Sequence, residues 1–262
     1  MGPALAVIGF AIGFIIAYIF IRRRPAKVYA HAELWVPVNT ETIPDQAAVM
    51  NRMLQDLTYA KRGRSPISPA EGLIFSDVRL DINVVKRAKN VALFEKVGFN
   101  DAVGFVRLQY ISEIPLKDRR HLQFLTFAAE AYMNLTEGSG IYNVLTERFW
   151  PASEVRERLL SNPQGNTPEW WLDVHWRSEG EAGYAETVGL RNLGFDELRT
   201  PLTDPDQRWL ITEMVEFAAH RIWEEMKIPA LVTHSAHGDA FEIQLRPKRK
   251  SVEVRIMRIQ AS

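Results

Sequence analysis

The chain has no cysteine, which removes three chemistries at once: disulfides, thiolate-ligated metal and a cysteine nucleophile. It has no surplus of charge of either sign, since 32 Lys+Arg balance 32 Asp+Glu over 262 residues. A general nucleic-acid binder needs a basic excess for its phosphate contacts, so no nucleic-acid partner is expected. Internal repeats and low-complexity tracts are absent from the sequence. So are the glycine-rich phosphate loop and the Gly-x-Ser-x-Gly elbow of serine hydrolases, for neither Ser139 nor Ser235 lies in such a setting. What is present is a globular composition, 47% apolar and 24% charged, which excludes wholesale disorder.

Charge is lacking locally as well. Residues 1–21 carry none, and Arg22, Arg23, Arg24 and Lys27 follow directly. As a helix rising 1.5 Å per residue, the apolar run 4–21 spans roughly 27 Å, enough for the hydrocarbon core. A cleaved signal peptide would carry its positive charge ahead of the apolar stretch rather than behind it. The sequence therefore predicts a retained transmembrane helix with its basic flank over residues 1–24. The lipid bilayer is then the partner of residues 4–21. The basic residues lie on the C-terminal side of the run, which sets the N-terminus outside and residues 25–262 in the cytoplasm, at the cytoplasmic (inner) membrane. Gly9, Gly13 and Ala17 recur every four residues on one helix face. That spacing lets two membrane helices approach closely, so a homodimer through this helix is a candidate.

Beyond the flank, periodicity changes repeatedly. Residues 27–39 alternate, with Val28, Ala30, Ala32, Leu34 and Val36 on one face, and predict a strand. Helical stripes follow near 44–61, 119–136, 153–160 and 206–227. Alternation predicts further strands at 78–84, 103–111 and 170–177, the last with 186–190 as its hairpin partner. Short apolar residues at 141–145 predict another strand. Phe241, Ile243, Leu245 and then Val252, Val254, Ile256 predict a closing hairpin whose turn is the basic stretch 246–250. Strands that alternate, mixed with helices, imply an α+β fold of mostly antiparallel sheets with packed helices, preceded by a single N-terminal transmembrane helix.

From Phe127 to Leu198 the order of elements is distinctive: a helix, a small-residue turn with a Gly-Ile-Tyr strand, the Trp-rich segment 170–177, then Thr187-Val-Gly189-Leu-Arg-Asn-Leu-Gly194-Phe-Asp-Glu197-Leu. This Thr-x-Gly-Leu-x3-Gly-x2-Glu-Leu block resembles a widespread family of uncharacterised bacterial domains. The resemblance covers about residues 103–256 and implies an α+β domain in a bacterial protein. It implies no reaction.

Four groups of residues are candidates for function. In the block, Gly189 and Gly194 would let backbone approach a ligand, with Arg191 and Glu197 as polar contacts. The favoured alternative is a turn requiring positive φ at Gly194. His234, His237 and Asp239 match the donor set of a two-histidine, one-carboxylate metal site, the basis for a metal-dependent hydrolase. Against it, the segment reads as a loop, so the imidazoles are not fixed on one face, and no metal or other cofactor is expected. On a strand at 170–177, Trp171, His175 and Arg177 share the face opposite Trp170 and Trp176, a surface rich in the residues that protein partners use. The membrane-helix face of Gly9, Gly13 and Ala17 is the fourth. The sequence as a whole points to a membrane-tethered cytoplasmic domain that binds a protein partner, with the hydrolase as the alternative.

Overall fold

The computed structural model describes residues 28–40, 42–59, 79–161 and 165–259. Chain alternation builds the first sheet. In strand β1 (Ala30–Val38) the residues Ala30, Ala32, Leu34, Val36 and Val38 are buried on one face. Helix α1 (Gln46–Tyr59) follows, then β2 (Arg79–Lys86), the short helix α2 (Val91–Lys96) and β3 (Gly104–Ser112). Helix α3 (Arg120–Leu135) comes next, then β4 (Gly140–Asn143) and β5 (Arg148–Pro151). The strand order is β2-β3-β1-β4-β5, with every pairing antiparallel. Helices α1 and α3 pack together, and α3 lies on β1, β3 and β4. The sheet's other face carries a separate aromatic cluster in which Phe94, Phe99 and Phe105 meet Trp35 and Tyr142.

The second half begins with α4 (Ala152–Ser161) and the one-turn helix α5 (Pro168–Trp171). Strands β6 (Asp173–Glu179), β7 (Ala182–Val188) and β8 (Leu198–Arg199) lead to the long helix α6 (Arg208–Glu225). Strands β9 (Leu231–Ala236), β10 (Asp239–Pro247) and β11 (Val252–Ile259) complete a sheet ordered β6-β7-β8-β11-β10-β9. It is antiparallel except where β8 meets β11. Met214, Val215, Ala218, Ala219 and Ile222, at helical spacing, bury α6 against this sheet. The helix touches both edge strands, β6 and β9, so the sheet curves around it. One apolar core runs through both sheets. The fold is thus α+β, with antiparallel-dominated sheets and packed helices.

Three expectations need correction. Residues 170–177 are not one strand: Pro168 sits in the first turn of α5, where its missing N–H is no loss, and extended backbone resumes only at Leu172. The segment around His234, read as a loop, is strand β9. The partner of β6 is β7, which starts at Ala182, after a turn through Gly180 at φ 62°. The run 4–21, with Gly9, Gly13 and Ala17, and the flank 22–27 lie outside the described residues. Among the described residues, no helix is long and apolar enough to cross a membrane.

Candidate functional site

The Thr187–Leu198 block proves to be a joint. A 3-10 turn at Leu190–Leu193 follows Gly189, and the Glu197 carboxylate returns beneath it. That carboxylate accepts from Thr187 Oγ1 at 2.7 Å and from the amides of Gly189, Leu190 and Arg191 at 3.0, 3.2 and 3.2 Å. Thr187 Oγ1 in turn accepts from Leu198 N at 2.8 Å. Burial pushes the Glu197 carboxyl above its ordinary range, against the pull of these four donors. Gly189 has φ 127°, and a Cβ there would stand 2.0 Å from the Trp171 carbonyl oxygen. At Gly194, φ 85°, a Cβ would stand 2.7 Å from the Tyr29 oxygen. Asn192 Nδ2 donates to Trp171 O at 3.1 Å, and the buried His121 bonds Asn192 O at 2.8 Å. Glycines and polar groups here lock the second sheet to β1 and α3. Every atom of the Glu197 carboxylate faces backbone or Thr187, and of the block's four named residues only Arg191 has an exposed side chain.

The tryptophan surface is redistributed. Trp171 is 1% exposed and its indole donates to Gly165 O at 3.0 Å, so it does not face solvent with His175 and Arg177. Helical rather than extended backbone at 168–171 turns it inward. His175 Nε2 lies 3.4 Å from Asp173, whose carboxylate also receives Arg148 at 3.0 Å. Arg177 is exposed, 3.9 Å from Glu186.

The histidine segment is a two-residue hairpin turn. His237 and Gly238 both have positive φ, 53° and 85°, between the paired residues Ala236 and Asp239. The metal-site alternative named Asp239 as third ligand. Instead Asp239 bonds Arg258, while the two imidazoles turn to α6: His237 Nε2 lies 3.0 Å and His234 Nε2 3.7 Å from the two oxygens of Glu213. His234 also stacks on Phe217, with centroids 3.9 Å apart, and Trp209 meets His237 edge-on. Among the described residues, no three His, Asp or Glu side chains are arranged to hold a metal ion.

An open trough runs between α6 and β6. One part, about 320 Å³, is lined by Arg148, Glu169, Leu172, Asp173 and His220; the adjoining part, about 460 Å³, is lined by Trp176, Arg208, Trp209 and Glu213. Val174, Thr212 and Glu216 line both. Trp176 lies across β7 at Gly183, where a Cβ would come within 2.4 Å of the indole. Gly183 is therefore required for the ring to form the trough's floor. Strand β6 pairs only with β7 among the described residues, so its other edge is open beside the trough; of its amides, Val174 N donates to Asp173 Oδ1 at 2.9 Å. Trp209 stands 56% exposed at the mouth. Thr212 Oγ1, enclosed in the wall, has no hydrogen-bond partner among the described residues.

The trough combines aromatic walls, an open strand edge and charges of both signs. Aromatic walls beside an open strand edge form a surface on which an extended segment can lie. Of the residues expected to act, only His175 and Arg177 lie on β6. Trp209, Trp176 and Thr212 were not foreseen as a group. A signal existed for Trp209: it falls beside, not on, the helical stripe of Leu210, Met214 and Phe217.

No family model, no curated protein and no solved structure matches this chain.

Proposed function

We propose that the chain is a membrane-tethered domain, anchored by residues 4–21 with residues 25–262 on the cytoplasmic side, that binds a protein partner along the α6–β6 trough. The observation that carries this reading is Trp209, largely exposed at the mouth of a trough whose opposite wall is an unpaired strand edge. An extended segment laid beside β6 would take main-chain hydrogen bonds from that edge and turn alternate side chains toward Trp176 and Trp209. Exposed tryptophans in such positions carry a disproportionate share of binding energy. Mixed charge along the trough suits a peptide rather than a phosphate. The hydrolase alternative through His234, His237 and Asp239 has no observation in its favour: Asp239 is paired with Arg258, and both imidazoles face Glu213.

Two experiments test this. Full-length protein should remain in the membrane pellet after alkaline carbonate, and release would contradict the anchor. Peptides selected on the detergent-solubilised chain from a random display library should bind through the trough. Trp209→Ala should weaken them about tenfold or more while leaving the melting temperature unchanged. Peptide binding indifferent to that substitution would overturn the trough as the binding site.

A further inference from the structure

A basic turn lies within reach of the point at which the described chain begins. Tyr29 N donates to Ser112 O at 2.8 Å, which sets β1's start beside β3's finish. The Tyr29 carbonyl packs against Gly194. Three residues later, Glu197 O accepts from Val252 N at 2.9 Å, and Leu198 pairs with Val252. The start of β11 is thereby tied to the start of β1. From it projects the β10–β11 turn, closed by Lys248 N to Ser251 O at 2.8 Å. Four residues of extended chain, one strand spacing and three residues more place Arg249 no further than about 30 Å from Gly194 and the Tyr29 carbonyl it touches.

Residues 246–250 hold four cations in five positions, all exposed. Lys248 is engaged by Glu253 at 3.0 Å and Arg246 by Gln244 at 2.9 Å. Arg249 and Lys250 have no partner among the described residues. A hairpin turn needs polarity; it does not need two unpaired cations. Exposed Arg191 belongs to the same end, opposed by exposed Asp196. The entry also exposes two apolar side chains, Val28 at 54% and Ile114 at 52%, the latter held near Ser112 by its bonds to Ser112 Oγ.

We infer that this end faces the bilayer and that the β10–β11 turn docks on anionic lipid headgroups through Arg249 and Lys250. The inference rests on the anchor reading above. The occupant is a lipid surface because a turn with two cations unpartnered among the described residues lies within about 30 Å of the point where the chain arrives from an uncharged run and its basic flank, and that point exposes two apolar side chains. Headgroup phosphates attract the first, and the interface accepts the second. Docking would fix the domain's orientation on its tether and so the direction in which the trough opens.

The absence of cysteine makes the test clean, since Ser251→Cys gives a single thiol at the turn and Glu181→Cys a single thiol at the β6–β7 turn. Each full-length variant carries an environment-sensitive dye and is reconstituted into phosphatidylcholine vesicles or phosphatidylserine-rich vesicles containing a headgroup-spin-labelled quencher. The dye at position 251 should be quenched strongly in the anionic vesicles and weakly in the neutral ones, with the difference lost in high salt. Arg249→Ala with Lys250→Ala should lower the docked-to-undocked ratio about 30-fold. The dye at 181 should respond to neither change. Equal quenching in both vesicles, or indifference to the double substitution, overturns the docking while carbonate-resistant insertion leaves the anchor standing. A chain that carbonate strips from the vesicles overturns both.

Discussion

In the joint at Thr187–Leu198, a buried carboxylate is surrounded by four donors, and both glycines are pressed against backbone carbonyls. In the α6–β6 trough, a strand edge and an enclosed threonine hydroxyl are left without partners among the described residues, beside an indole that is largely exposed and touches only His237 edge-on among the ring contacts. Both regions are dense in the residue types that mark sites in a sequence. The difference lies in what remains to be satisfied: in the joint one buried side-chain atom, Asn192 Oδ1, lacks a partner among the described residues, whereas in the trough a whole strand edge lies open beside the Thr212 hydroxyl. Polar groups that already hold each other stabilise the fold, because a buried donor without an acceptor costs far more than a formed bond gains. Groups left open to solvent beside an apolar wall are available to a partner.

The largest effect should come from the joint. Glu197→Ala strands the Thr187 hydroxyl and three amides together, and should cost roughly 4 kcal/mol, read from the denaturant midpoint. A cost below about 1 kcal/mol would mean that the carboxylate is not the joint's organiser.

Next comes the pH response of His121, which ties α3 to the joint through Asn192. Burial lowers its pKa from 6.5 to about 4. Between those values the unfolded chain binds more protons than the folded one, so stability falls as pH drops from 6.5 to 4 and the effect is absent above 6.5. The full loss is about 3 kcal/mol. Urea melts at pH 7, 5.5 and 4 of the wild type and of His121→Gln should diverge, the variant showing the shallower slope; parallel slopes would contradict the assignment. Glu33 adds equally to both slopes: against its desolvation, hydrogen bonds from His31, Arg107 and Trp35 hold its folded pKa at about 2, below the ordinary 4.5, so the unfolded chain alone takes up that proton as the pH nears 4, and the difference between wild type and variant cancels it.

The smallest effect belongs to the histidine turn. His234→Ala with His237→Ala removes two contacts to Glu213 that are partly in solvent, and should change stability by no more than about 1 kcal/mol. A collapse of the melting temperature would show that β9 depends on this contact with α6.

How much of this was legible depends on whether a signal was local. The alternation of Ala30, Ala32, Leu34 and Val36 reflects a sheet with one buried face, and β1 matches it. The stripe of α6 was legible in part: Met214, Ile222 and Trp223 are buried, whereas Leu210 and Phe217 are half-buried beside the buried Ile211, Val215, Ala218 and Ala219. The turn role of Gly194 was also legible, because only glycine is comfortable at that φ. Trp171 misled because an alternating sequence was allowed to outweigh Pro168, whose ring favours a helical first turn. Strand β9 was missed because Thr233 and Ser235 are exposed and His234 half-buried, leaving little apolar contrast. The trough could not be read at all: Trp176 and Trp209 line the same trough only because the sheet curves around α6. Glu213 likewise reaches the histidines through tertiary packing, with no spacing rule to announce it.

Amide hydrogen exchange on the full-length protein, free and with a selected peptide bound, tests the division between joint and trough most directly. The amides of Gly189, Leu190 and Arg191 should exchange slowly in both states, held by Glu197, whereas β6 should gain protection on binding. Peptide-induced protection confined to 189–191, with β6 unchanged, would make the joint the site and contradict the account.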